Sequence, residues 1–148
     1  MRLRTGLLTA ATITVATGVL LTGCGAGSSE DLEGWWSSGG EGRVKALADT
    51  SGRVNEVSMR PMDTWGAACQ ELLAEVAKAK KQGTPPSGNA EGFWTEALTS
   101  FENGGNECVD GAGRKDQPRA SAGIREVQKG ISRLASATSM IRSDLKAG

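Results

Sequence analysis

The side chains with reactive chemistry are few, and their spacing rules out more than it offers. Histidine and tyrosine are absent from the 148 residues, and there are 3 cysteines, Cys24, Cys69 and Cys108. Without an imidazole base a serine nucleophile cannot be activated as in a Ser-His-Asp triad. Cys69 and Cys108, isolated in sequence and without histidine, fall short of the four ligands of the usual zinc site. Glu71 and Glu75 sit one helical turn apart, and Asp110 and Asp116 border a polar stretch; either pair could serve acid/base work or hold calcium. Glu71 and Glu75 lie away from the leucine face, which is the pattern of a solvated helix surface. The 110–116 segment lacks the alternating oxygen ligands and closing glutamate of an EF-hand. Lys78, Lys80 and Lys81 stand where a helix should end and complement its dipole. No enzyme, metal or cofactor is expected from these residues.

Cys24 has a different context. Arg2 and Arg4 precede an apolar run containing Leu7, Leu8, Ile13, Val15, Val19, Leu20 and Leu21, and no acidic residue occurs before Glu30. A basic start followed by such a run has the form of a signal h-region. A retained transmembrane helix is the alternative, but the stretch from Gly6 to Gly23 carries five threonines. It is short of the about 20 strongly apolar residues a span needs. Leu3 separates the two arginines, so a twin-arginine signal is absent. The run closes on Leu21-Thr22-Gly23-Cys24, which resembles the lipobox of bacterial lipoprotein precursors. The resemblance implies cleavage before Cys24, a diacylglyceryl group on its sulfur, and a domain tethered to the extracytoplasmic face of the cell membrane.

With Cys24 assigned to lipid, Cys69 and Cys108 remain as a pair in a compartment where thiols oxidise, and a disulfide is expected. Such a bridge, closing a loop of about 40 residues, stabilises a fold by about 4 kcal/mol in the chain-entropy model. Removal of Arg2 and Arg4 leaves 15 basic against 17 acidic residues. Neither a nucleic-acid partner nor a polybasic membrane clamp follows from that balance.

The elements that must position these residues read as helices. Domain boundaries fall at residues 1–23 for the signal peptide, 24–40 for the acylated cysteine and a flexible, small and polar stalk, and 41–148 for a helical domain. Val44, Leu47, Val54 and Val57 recur at helical intervals until Pro61. Asp63 is placed to cap a second helix bearing Trp65, Cys69, Leu72, Leu73 and Val76, which Gly83 ends. A third is expected from about Ala90 to about Asp110, bending or breaking at Gly104-Gly105, because two interior glycines cost about 2 kcal/mol. A polar loop from Gly111 to Gln117 then leads to Pro118 in the first turn of the longest helix. Ile124, Val127, Ile131, Leu134, Thr138, Ile141 and Leu145 form its seam. No strand-like alternation occurs, so the expected class is all-α, a small antiparallel bundle of three to four helices with one disulfide. At about 1.5 Å per residue, Cys69 and Cys108 lie about 21 Å and about 27 Å from the proline turn, heights at which an antiparallel hairpin brings them together.

Further likeness lies in Trp35-Trp36, in Ala68-Cys69-Gln70-Glu71-Leu72, and in Trp94 with Cys108 beyond the proline turn. These resemble small exported helical lipoproteins of actinobacteria, a group that lends no catalytic residue. The expected function is a membrane-anchored, non-enzymatic protein-interaction or envelope accessory module. Spare seam on the last helix, at Ile141 and Leu145, is the expected partner face. The alternative is small-molecule binding by Trp65, Phe93, Trp94 and Phe101, which helical spacing also explains as core. Trp35 and Trp36 either rest in the lipid headgroups or cap the bundle's open end.

Overall fold

The computed structural model describes residues 27–148; the signal segment and Cys24 lie outside the described residues. Among the described residues the secondary structure is helical throughout. Helix α1 (Ser29–Trp35) leads through a π-helical stretch, Trp36–Gly40, into α2 (Glu41–Val57). A 3-10 turn, Met62–Thr64, precedes α3 (Trp65–Gln82), followed by α4 (Glu91–Arg114) and α5 (Gln117–Ala147).

The four long helices form an up-and-down bundle in which α2 touches α3 and α5, and α4 touches α3 and α5. Side-chain pairs fix the directions. Arg53 reaches Glu71 and Arg43 reaches Glu75 between α2 and α3. Lys80 meets Glu102 between α3 and α4. Arg119 meets Asp110, and Ser100 donates to Glu126, between α4 and α5. Each neighbouring pair runs antiparallel. The core between them holds Leu47, Val54, Leu72, Val76, Trp94, Phe101 and Val127, all with at most 2% of their surface exposed. The expected bridge joins Cys69 of α3 to Cys108 of α4, with Cα atoms 6.2 Å apart. It staples the end of the bundle that carries Trp65, whose indole N–H donates to the Arg60 carbonyl at 3.0 Å.

The opposite end is closed by α1, and here the structure departs from the expected stalk. From Ser29 the chain is helical and packed, so the folded unit begins before residue 41. Ser28 and Asp31 form a reciprocal capping box that satisfies backbone donors at the helix start. Leu32 is 2% exposed, in a small cluster with Ala90 and Ile141. Trp35 donates its indole N–H to the Gly83 carbonyl at 3.3 Å and stands edge-on to Trp94 at 5.5 Å. Thus Leu32, Trp35 and Trp36, three apolar side chains at helical spacing in a polar stretch, supply enough buried surface to order the segment.

Helix α4 is continuous through Gly104 and Gly105, contrary to the expected bend. The glycines are contact surfaces. A Cβ on Gly104 would lie 2.6 Å from the Gly123 carbonyl oxygen, and one on Gly123 would lie 2.5 Å from the Cys108 nitrogen. Close backbone approach of α4 and α5 offsets the propensity cost. For the same reason α4 runs past Gly111, where a Cβ would meet the Ala120 nitrogen at 2.4 Å, and only Lys115 and Asp116 lie between the helices. Asp116 caps α5, its carboxylate accepting from the Arg119 N–H at 3.1 Å. At α3 the expected cap is misplaced: Asp63 lies inside the 3-10 turn, and Thr64 precedes the helix with no side-chain cap.

Candidate functional site

Glu71, Glu75 and Asp110, singled out in the sequence for chemistry, are held in ion pairs, and Asp116 caps α5. Glu71 takes a fork of two bonds from Arg53, at 3.0 and 3.2 Å. Glu75 binds Arg43 at 2.7 Å and Lys78 at 2.6 Å. The Lys78 ammonium, with Arg43 beside it, holds the Glu75 carboxyl below its ordinary value against a smaller opposing effect of burial. Asp110 pairs with Arg114 and Arg119, at 2.8 and 2.9 Å. Among the described residues no three histidine, cysteine, aspartate or glutamate side chains gather as a metal site.

The aromatic residues do not converge on a pocket. Trp94 and Phe101 are fully buried and Trp65 is 5% exposed, all within the continuous core. Phe93 is half-buried at the edge of the core where α4 meets α5, under the Arg133 guanidinium at 5.9 Å. All four are packing residues: Trp65 of α3 and Trp94 and Phe101 of α4 lie in the core, and Phe93 packs against its edge. Ile141 likewise is unavailable to a partner. It is fully buried against α1, with Leu145 half-buried beside it, so the spare seam is occupied by the chain's own N-terminal helix. Trp35 and Trp36 pack against the core and cap the bundle.

A wide concavity lies elsewhere, between α2 and α5. It is an open groove of about 1180 Å³. Its floor is apolar: Trp36, Val44, Ile131, Leu134 and the Thr138 side chain. Its walls are small, with Gly42, Ala48, Ser51 and Gly52 on α2 and Ala135 and Ser139 on α5. That composition explains the opening. Ion pairs tie α2 to α3, a disulfide ties α3 to α4, and glycines let α4 and α5 close up, whereas α2 and α5 share one side-chain hydrogen bond, from Gln128 to Asn55 at 2.8 Å. Small walls leave the space unfilled.

Charge is gathered at one end of the groove. Glu41 and Lys45 of α2 face Arg142 and Lys146 of α5 there. Lys45 pairs with Asp49, while Arg142, Lys146 and Glu41 form no ion pair among the described residues. This is the end closed by α1, where the last residue, Gly148, meets Ser29 and where Asp144 accepts from Ser87 at 2.6 Å. Inside the groove Ser51 donates to the Ala48 carbonyl, so its hydroxyl is engaged with the helix. An apolar floor with cations at one mouth suits an elongated ligand with an anionic end. Sequence reasoning did not single out Ala48, Ala135, Arg142 or Lys146. The available signal was the row of small residues on α2 and α5, which marks close packing as readily as a groove.

Among the described residues no helix is long and apolar enough to cross a membrane. Comparison with protein-family models, with curated proteins and with solved structures finds no match.

Proposed function

We propose that the chain is a lipid-anchored, extracytoplasmic and non-enzymatic binding module, fastened through Cys24 and using the α2–α5 groove as its binding face. One observation carries the reading: the bundle is already ordered at α1, a few residues after Cys24. Three Cα–Cα steps join Cys24 to Gly27 and reach at most about 11 Å. An acyl group on Cys24 therefore holds the α1 end close to the leaflet, in place of letting the domain range on a long tether. Arg2, Arg4, the apolar run and Leu21-Thr22-Gly23-Cys24 support the anchor itself. The ion pairs that hold Glu71, Glu75 and Asp110 support binding over catalysis by those carboxylates, since a reactive site needs a base free to act.

Fractionation tests this reading. In cells expressing the full chain, the protein is expected in the membrane fraction and to be digested when protease is added to intact spheroplasts. Cys24→Ala is expected to block acylation and maturation, leaving the uncleaved precursor. Protection of the wild-type domain from external protease would overturn the extracytoplasmic placement.

A further inference from the structure

We propose that the α2–α5 groove receives the acyl chain of an anionic phospholipid from the adjoining leaflet, with its phosphate between Arg142 and Lys146. The inference rests on the anchoring proposed above, and four observations on the groove support it. The cationic mouth lies at the α1 end, the end that the short link to Cys24 keeps beside the membrane. Arg142 and Lys146 are one helical turn apart on α5, neither is paired among the described residues, and Arg offers a fork of donors to phosphate oxygens. From Ile131 to Arg142 the floor runs about 17 Å at the rise of an α-helix, close to the about 15 Å depth of one leaflet's hydrocarbon. Finally, at about 1180 Å³ the groove exceeds the about 300–1,000 Å³ of ordinary small-molecule sites.

Charge also argues against a second copy lying parallel in the groove. A two-fold mate with its axis along the groove would bring its own Arg142 and Lys146 to the same mouth, placing like charges together. The rim acid Glu41 forms no ion pair with Arg142 or Lys146, and Lys45 is held by Asp49.

Photo-crosslinking in cells tests the proposal with the full chain. Cells are fed a fatty acid bearing a diazirine and an alkyne, irradiated, and the protein is digested for mass spectrometry. Adducts with the mass of an intact phospholipid are expected on peptides covering residues 41–52 and 131–146. Ala48→Trp, which fills the groove from an exposed wall position, and the double change Arg142→Glu with Lys146→Glu are each expected to lower that yield about tenfold, the loss of charge-assisted or apolar contacts. All three positions are exposed, so unchanged helicity by circular dichroism is expected alongside. Unchanged yield in both variants would overturn the proposal. So would adducts that join the groove only to the Cys24 peptide, meaning the chain's own anchor fills it, or only to another protein, meaning the groove takes a partner helix. The acyl mass on Cys24 is read in the same digest. Groove adducts without it contradict the anchor alone; an acylated Cys24 without groove adducts contradicts the lipid site alone.

Discussion

Ile141, near the end of the last helix, is sealed by Leu32 from the first, and the two are buried together at 0% and 2% exposure. The contact joins the start of the described chain to its end. It converts a four-helix bundle with an open apolar end into a closed one.

Leu32→Ala is therefore expected to destabilise the whole domain. Truncating a buried leucine costs about 2–5 kcal/mol. Thermal unfolding followed by circular dichroism should show a single transition at lower temperature. A change below about 0.5 kcal/mol, the range of a surface substitution, would mean that α1 is not part of the cooperative unit.

Two glycine substitutions should move stability in opposite directions. Gly104→Ala puts a methyl against the Gly123 carbonyl, and overpacking costs about 1–3 kcal/mol. Gly52→Ala meets nothing within 4 Å inside α2, and replacing an interior helical glycine gains up to about 1 kcal/mol. Denaturant midpoints of the two variants check the signs.

Reducing Cys69–Cys108, separated by 39 residues, is expected to lower stability by about 4 kcal/mol through the entropy returned to the unfolded chain. Urea unfolding with and without reductant measures it. Equal midpoints would show that the bridge adds nothing to the packed contact between α3 and α4.

Acid should weaken the bundle through Glu75 and Glu126. Both carboxyls are held below the ordinary 4.5, Glu75 chiefly by Lys78 and Glu126 chiefly by Lys129 with help from Ser100. A folded-state value below the unfolded one binds fewer protons in the native state. Their contribution is thus complete above about the ordinary value and is lost as pH falls through the lowered one. Glu75→Gln should flatten the stability profile below pH 4.5 and leave its slope near neutrality unchanged. Solvent around both side chains keeps the effect small.

Much of the fold was legible in the residues, for reasons that also explain what was not. The seam through Ile124, Val127, Leu134 and Ile141 announced α5 because one apolar stripe repeats over many turns. The cysteine heights matched because an antiparallel hairpin fixes them. Helix α1 was missed because glycine and serine dominate its surroundings and only Leu32, Trp35 and Trp36 mark a face. The Ser28–Asp31 capping box was the overlooked sign. Gly104 and Gly105 misled because propensity is local, whereas the close approach of α5 that favours them is tertiary. The groove was illegible for a similar reason. Its width depends on how far apart two helices settle, and the same alanines and glycines would serve a tight contact.

Mass spectrometry of the N-terminal peptide, from protein extracted from membranes, tests the anchor at Cys24 most directly. The expected result is a peptide that begins at Cys24 and carries a diacylglyceryl group on its sulfur. A chain that still begins at Met1 with an unmodified Cys24 thiol would contradict it.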